Sequence, residues 1–347
     1  MIAKPKICFI TPSFGVGGAE RWILTLTKFF KRVCVDSIVI LSGTADNMMI
    51  DEAQKMTNVF NKNFYEDVDS LKKILEKSNC IISWAYNANL NLANELKIPS
   101  IDVSHSDPAW LNQQKMIEHT SKKSKYHVGV SKTAASSFDK KLNAKTIYNG
   151  IDTNRLFSNI SSEDQKKEWG CENKKIVLFS SRISPEKNPQ MFFDVADLFD
   201  DSWMFLFVGI GSLYEKFKSM NKNNVKIVSK TSNIGNYYNA SDVVVLTSKI
   251  EGMPLVLMES WYCGVPTVTT EYSTYKELKE IHGNLSWSVP VDTSLSLLAL
   301  KIKEAYYAGK KSERVLKAKN IIENYYTAEI MAKNWEDYIF NILNNRV

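Results

Sequence analysis

Residues 241–270 read SDVVVLTSKIEGMPLVLMESWYCGVPTVTT. The run from Val243 to Leu246 is apolar, β-branched and bounded by Asp242 and Thr247, which is the composition of a strand buried on both faces of a parallel sheet. A polar loop with Ser248 and Lys249 leads into Glu251-Gly252-Met253-Pro254, and a helical stretch then runs to about Cys263. Pro254 suits a first helical turn, where a missing N–H costs nothing, and Gly264 suits the stop. Residues 266–268 form the next short apolar run and read as the following strand. This order places Glu251 just before a helix and Glu259 about a turn and a half into it. Both then lie at the C-terminal mouth of a parallel strand, where open α/β sheets bind ligands.

The N–H groups that open such a helix can cradle phosphate oxygens, with Gly252 allowing close approach. The two carboxylates are acceptors suited to sugar or ribose hydroxyls. The competing reading is an ordinary helix, with Glu259 on solvent and Glu251 favouring the helix start electrostatically. The string Glu-Gly-Met-Pro-x-x-x-x-Glu, wedged between two apolar strands, resembles the Glu-x7-Glu element of the retaining nucleotide-sugar glycosyltransferases of family 4, which have the GT-B fold. Cys263-Gly264-Val265-Pro266 continues the likeness. Ser260-Trp261-Tyr262 departs from it, since the family has small residues and Met there.

Length and composition set the frame. At 347 residues the chain exceeds one typical core, so two domains are expected. Hydrophobic content of 44% and charged content of 24% are those of an ordinary globular protein. The five cysteines are scattered without a CxxC or Cys/His cluster, which favours buried, reduced thiols over zinc. The opening MIAKPKICFITPSF has too short an apolar run for a signal peptide, and no stretch reaches membrane-spanning length. A cytoplasmic protein is expected. Its charge of +6 favours anionic ligands or a membrane surface without demanding nucleic acid.

From the N-terminus, strand and helix signals alternate. Residues 7–10 read as a strand, and Gly15-Val16-Gly17-Gly18 opens a helix over 19–30, the arrangement of a phosphate-binding turn. A dinucleotide fingerprint is the weaker reading, because Glu20 stands where its third Gly or Ala belongs and Asp36 is misplaced for the ribose acid. A plain turn with a glycine at positive φ is the bland one. Gly17-Gly18-Ala19-Glu20-Arg21 resembles the N-terminal glycine loop of family 4. Strands are expected at 33–41, 80–83, 99–103, 126–130 and 145–148, and helices at 68–75, 87–96 and 131–140. Residues 44–62 show no clear period. Such alternation means a parallel, doubly wound sheet.

His105 follows the 99–103 strand. It reads either as a local hydrogen-bonding residue or, through the resemblance, as the histidine that reaches the donor sugar. Lys122, Lys123, Lys125, Lys132, Lys140, Lys141 and Lys145 share their stretch with a single acid, Asp139. A solvated face is one reading; a patch for anionic lipid, helped by Lys28-Phe29-Phe30-Lys31-Arg32, is the other. After the polar passage 153–173, a second series begins with a strand at 175–180. Its loop carries Arg182 and Lys187, which can converge on a diphosphate or stand as solvated cations. Family 4 has an Arg and a Lys at matching positions.

The expectation is therefore an α/β chain of GT-B type: two Rossmann-like, doubly wound domains facing across a cleft, with a C-terminal helix crossing back. Residues 1–158, completed by 330–347, form the first domain, and 159–329 the nucleotide-sugar-binding one. The resemblance implies a retaining, metal-independent transferase that moves a hexosyl or N-acetylhexosaminyl group from a nucleotide-diphosphate sugar, UDP being favoured, to an acceptor hydroxyl in surface-glycan or glycolipid assembly. It implies catalytic roles for His105, Glu251, Arg182 and Lys187. Donor contacts would come from Gly17, Gly18, Arg182, Lys187, Glu251, Gly252, Met253, Pro254, Leu255 and Glu259. No cofactor or metal is implied, and peripheral contact at the inner membrane face is one open reading. A GT-B nucleotide-sugar epimerase and a catalytically silent nucleotide-sugar-binding protein are the alternatives.

Overall fold

Apolar runs in the first part of the chain become seven strands: β1 (Lys6–Thr11), β2 (Cys34–Ile40), β3 (Asn58–Asn61), β4 (Cys80–Trp84), β5 (Ser100–Ser104), β6 (Tyr126–Gly129) and β7 (Lys145–Thr146). They pair in the order β3-β2-β1-β4-β5-β6-β7, all parallel. The second series gives β8 (Lys175–Ser180), β9 (Trp203–Val208), β10 (Val225–Val228), β11 (Val243–Leu246), β12 (Thr267–Thr270) and β13 (Trp287–Val289). Its order is β10-β9-β8-β11-β12-β13, again all parallel. In each sheet the winding reverses once, between β1 and β4 and between β8 and β11. Neighbouring connections leave in opposite directions there and open a crevice at the strand ends.

The computed structural model describes residues 4–84, 90–109, 124–220, 222–231 and 233–344. One unit comprises Met1–Gly150 with Ala328–Val347, the other Ile151–Thr327. The division thus falls ahead of the expected 158/159 and 329/330. Ile151 explains the earlier break: its N–H donates to the Tyr326 carbonyl at 2.9 Å, which ties it into the second unit.

Each unit has its own core. In the second, Phe179 of β8 and Phe207 of β9 stack with centroids 4.7 Å apart, and Phe192 lies 5.3 Å from both. In the first, Cys8, Ile10, Val39 and Ile81 pack against Leu71, Leu75 and Phe64. Cys8, Cys80 and Cys171 are buried as expected, whereas Cys34 is exposed and Cys263 partly so, against the expectation. Among the described residues no helix is long and apolar enough to cross a membrane.

One local expectation fails, and one segment without a readable period turns out to be structured, each for an identifiable reason. The 131–140 helix is only Lys132–Ala135, followed by a 3-10 turn at Lys140–Leu142. Ser136 and Ser137 turn their hydroxyls onto the Thr133 and Ala134 carbonyls at 2.7 and 2.6 Å, competing with helix continuation. The unreadable 44–62 segment holds a helix, Asn47–Gln54, capped by the Asp46 side chain on the Met48 N–H, and then β3. That helix buries only Met49 and Ala53, too narrow a stripe to show as a period. The expected 87–96 helix is seen over Leu90–Glu95, and residues 87–89 lie outside the described ones.

The last helix, Ala328–Asn344, belongs to the first unit. Its buried face carries Met331, Trp335, Ile339 and Ile342, and Trp335 meets Trp22 at a centroid distance of 5.3 Å. Glu336, on the same face and only 4% exposed, serves the turn after the Gly18–Phe29 helix. Its Oε1 accepts the backbone N–H of Lys31 at 2.6 Å, that of Arg32, and that of Val33 at 3.3 Å. Its Oε2 accepts Arg32 Nε at 3.2 Å. One carboxylate therefore satisfies three successive backbone donors that have no strand or helix partner. Glu336→Ala should destabilise the protein by about 2 kcal/mol, since a buried donor left unpaired, as at Val33, costs about 1–3 kcal/mol and the part-buried ones at Lys31 and Arg32 recover water. Urea unfolding checks this; a loss below about 0.5 kcal/mol, the range of ordinary surface changes, would contradict it.

Candidate functional site

β8 and β11 are adjacent at the reversal of the second sheet, so the loops that follow them share one crevice. The β8 loop runs through Arg182, a 3-10 turn at Pro185–Lys187, and Asn188, whose φ of 48° and ψ of 53° put it in the left-handed region. Asn tolerates that conformation better than most residues. It ends the turn and starts the Pro189–Val195 helix, leaving Lys187 on the corner. The β11 loop runs from Thr247 to Pro254. The expected helix begins one residue later than the sequence suggests, with Pro254 as the flanking residue and Leu255–Tyr262 as the helix. No side chain caps it. Gly264 stops it at φ 66°, where a side chain would be strained.

The two loops are tied together. Lys187 Nζ reaches both carboxylate oxygens of Glu251 at 2.7 Å, with the two side chains only 15% and 10% exposed. Ser248 adds its hydroxyl to Glu251 Oε1 at 2.6 Å. The Thr247 hydroxyl donates to the Lys187 and Asn188 carbonyls at 2.9 Å, and the Lys249 N–H donates to the Glu186 carbonyl at 2.8 Å. From the helix Ser273–His282, Thr274 Oγ1 bonds the carbonyls of Glu251 and Gly252 at 2.6 and 3.0 Å. Glu251 and Gly252 are thereby held from both sides. Gly252, Met253 and Pro254 are themselves buried, whereas Leu255 is partly exposed.

Arg182 differs from Lys187. Its side chain is 55% exposed and pairs with Glu186 Oε1 at 3.0 Å, leaving much of the guanidinium open. Behind it, Gly209 has a φ of 151° and packs so closely that a Cβ would run into the Ser181 carbonyl. The Ser181 N–H donates to the Val208 carbonyl at 3.1 Å, and Ile183 N–H to the Ile210 carbonyl at 2.9 Å. The glycine turn after β9 is therefore a backrest for the Arg182 loop.

Glu259 is buried at 8% exposure. Tyr238 donates its hydroxyl to Glu259 Oε2 at 2.9 Å, and Arg155 Nη1 lies 3.6 Å from Oε1. The solvent-facing reading of Glu259 is corrected by this burial. Burial, then the nearby Glu259 charge, pushes the Tyr238 phenol well above its ordinary value, so it stays a donor.

The remaining residues named from the sequence belong to the first unit. Gly17 flanks the helix Gly18–Phe29 with extended backbone, and neither it nor Gly15 or Gly18 has a positive φ, against the bland turn reading. A Cβ on Gly17 would instead meet the Glu20 carboxylate. Arg21, in the first turn of that helix, pairs with Glu52 at 2.6 Å. His105, just after β5, is wedged edge-on between Trp22 and Trp84 at centroid distances of 4.8 and 5.6 Å. Its Nε2 is shielded and has no hydrogen-bond partner among the described residues. Burial lowers its pKa to about 3. Lys28 and Lys31 are exposed beside half-covered Phe29 and Phe30, while Arg32 is drawn to Glu336 and Asp337. Lys145 sits 5.0 Å over the Tyr338 ring. Lys122 and Lys123 lie outside the described residues.

Sequence reasoning missed Ser248, Thr274, Arg155 and the role of Tyr238. The polar run Glu271-Tyr272-Ser273-Thr274 directly after β12 is the one sequence feature that points to Thr274. Nothing local distinguishes Arg155, which comes from the 3-10 turn Thr153–Leu156 near the start of the second unit. Among the described residues no group of three or more His, Cys, Asp or Glu is arranged to hold a metal ion.

Comparison with known proteins gives four findings. Residues 161–320 match the family model described as Glycosyl transferases group 1. The chain is 25% identical over 77% of its length to a Campylobacter jejuni GalNAc-alpha-(1->4)-GalNAc-alpha-(1->3)-diNAcBac-PP-undecaprenol alpha-1,4-N-acetyl-D-galactosaminyltransferase, covering 79% of that protein. It is 24% identical over 93% of its length to the Escherichia coli O-antigen biosynthesis glycosyltransferase WbnH, covering 97% of it. Among solved structures, Anabaena Alr3699/HepE in complex with UDP-glucose is similar with a TM-score of 0.83 at 19% identity, over 98% of this chain and 100% of that one. The fold is GT-B.

The setting of His105 has a pH consequence. An unperturbed histidine titrates near ~6.5, so between that pH and about 3 the unfolded chain binds a proton that folded His105 does not. The site therefore costs no stability above that window and an increasing amount as pH falls through it. In an NMR titration the His105 ring resonances should stay flat from pH 8 to 5, and a midpoint near the ordinary value would show that the ring is not held neutral.

Proposed function

We propose that this GT-B glycosyltransferase, whose residues 161–320 are its group 1 domain, is a retaining, metal-independent enzyme that moves a hexosyl or N-acetylhexosaminyl group from a UDP-linked donor to an acceptor hydroxyl in surface-glycan or glycolipid assembly. The observation that carries it is the convergence of Arg182, Lys187 and Glu251 at the β8/β11 reversal, where a cation pair meets a carboxylate and an uncapped helix start. The Campylobacter relative is named for a transfer to a diphosphoundecaprenol-linked glycan, and the HepE complex contains UDP-glucose. Both support the donor and acceptor classes.

In this reading the diphosphate lies against Arg182, Lys187 and the N–H groups that open the Leu255–Tyr262 helix. Glu251 accepts sugar hydroxyls. The bond from the anomeric carbon to the phosphate oxygen breaks as the acceptor oxygen bonds to the same face, and the acceptor proton goes to the departing phosphate. The electrostatic work is then stabilisation of the leaving diphosphate. A same-face route requires no pair of carboxylates flanking the bond.

A thermal-shift and turnover panel over UDP-, GDP-, ADP- and dTDP-sugars tests the donor. Arg182→Ala should lower kcat/KM on the order of 10- to 100-fold, the worth of one charge-assisted contact, without loss of stability. Lys187→Ala should lower both activity and stability, because it strands the shielded Glu251 carboxylate. Near-normal activity in Arg182→Ala removes the diphosphate assignment. Turnover should persist in EDTA, and an absolute, reversible need for Mg²⁺ or Mn²⁺ would refute the metal-independent route. Conversion of the donor to an epimer without any acceptor would establish the epimerase instead.

The reading extends to a lipid-borne acceptor approached through exposed Lys28 and Lys31 with Phe29 and Phe30. Co-sedimentation with phosphatidylglycerol vesicles should be lost in Lys28→Glu/Lys31→Glu, and unchanged binding would remove that surface from the proposal.

A further inference from the structure

Beside β13, the edge strand of the second sheet, lies a cavity of about 230 Å³ that shares no residue with the donor corner. β12 stands between β13 and β11, so the cavity is separate from the crevice at the winding reversal. Its cations come from three helices of the second unit: Lys279 from Ser273–His282, Lys301 from Leu295–Ala308 and Arg314 from Glu313–Tyr325. Asn284, Ser286 and Ser288 add polar groups, and Glu304 is the one carboxylate in the lining. Three positive charges therefore stand against one negative charge.

The three cations are held to different degrees. The Arg314 guanidinium lies 4.4 Å over the Trp287 ring and has no carboxylate partner among the described residues. Stacked on an aromatic face, a guanidinium keeps its in-plane fork of N–H groups for an acceptor. Lys301 pairs with Glu304 at 2.8 Å, three positions along the same helix and half in solvent, a contact of small net worth that a stronger anion can displace. Lys279 pairs with Glu271 Oε1 at 2.8 Å, and the same oxygen accepts the Ser288 hydroxyl at 2.8 Å. Ser286 is buried and accepts the Trp261 ring N–H at 2.8 Å, which leaves its own hydroxyl hydrogen to donate.

A planar fork with two ammonium groups suits the three terminal oxygens of a phosphate better than the two of a carboxylate. The hydroxyl and amide groups around them suit a hydroxylated body, and the volume leaves room for one. We propose that this cavity is a second ligand site, which binds a small phosphomonoester of a sugar or polyol, and that its occupancy weakens nucleotide binding at the donor corner. The connection is short. The phosphate competes with Glu271 for Lys279, and Glu271 opens the segment whose Thr274 holds the Glu251 and Gly252 carbonyls. The coupling rests on the nucleotide-donor reading above; the binding at the cavity does not.

Calorimetric titration of the full chain with glycerol 3-phosphate and glucose 1-phosphate, beside inorganic phosphate, tests the site. The wild type should bind an ester saturably and more tightly than inorganic phosphate. Arg314→Met and Lys301→Met, both at partly exposed positions, should each weaken that binding about tenfold, the worth of one charge-assisted contact. Glu304→Gln should tighten it by removing the like charge, and Arg182→Ala should leave it unchanged. With the ester saturating, UDP should bind about fivefold more weakly to the wild type, the low end of ordinary coupling between sites, and unchanged to Arg314→Met. Ester binding that survives Arg314→Met but falls in Arg182→Ala would place the phosphate at the donor corner and overturn the proposal. So would the absence of saturable binding by either ester, and inorganic phosphate binding as tightly as the esters would overturn the ester assignment. Ester binding that leaves UDP affinity unchanged overturns the coupling. A chain that binds no nucleoside diphosphate takes the coupling down with the donor reading, while the ester titrations still decide the site.

Discussion

Reversal of the winding between β8 and β11 leaves two loops side by side with no strand between them, and the Lys187–Glu251 pair is what closes that gap. An ammonium and a carboxylate this shielded are stable only together, because a lone charge in the same place would lose its hydration without compensation. The rest of the local structure serves the pair. Asn188 turns the chain in the left-handed region so that Lys187 sits at the corner, and Thr247 holds the carbonyls on either side of that turn. Ser248 and Thr274 hold Glu251 from the other direction.

The same arrangement divides labour between the two cations. Lys187 is largely committed to Glu251, whereas Arg182 is half in solvent with one partner on its own loop. Side chains held by neighbours need little reorganisation when charge develops nearby, which is the condition for electrostatic stabilisation to be effective. Arg182 keeps an adjustable side chain, while its loop is fixed from behind by the glycine turn after β9.

Much of the fold is legible in the sequence because buried parallel strands write themselves as continuous apolar runs. Lys175–Ser180, Trp203–Val208 and Val243–Leu246 have the bounds that their composition suggests. The segments that stay obscure are those whose stabilisation is not local. The Asn47–Gln54 helix shows two buried residues and no period, and the 131–140 stretch has helical spacing but serines that bond the backbone instead. The same distinction governs the site. Arg182, Lys187, Glu251 and Glu259 stand in recognisable strings, but Arg155, Tyr238 and Thr274 reach the site through packing between elements far apart in sequence. Glu336 is the clearest case: within an otherwise apolar stripe it looks like a surface residue, and only the three N–H groups facing it explain its burial.

The separation of those partners along the chain, 303 to 305 positions, bears on how the protein is made. Synthesis at roughly 5–20 residues per second puts on the order of 15–60 s between the emergence of residues 31–33 and that of Glu336. Throughout that interval the first sheet can assemble, but its turn lacks an acceptor and Trp22 lacks one of the rings it packs against. The N-terminal unit is thus the first begun and the last completed, with an apolar seam open to chaperones or to a neighbouring nascent chain until the final helix arrives.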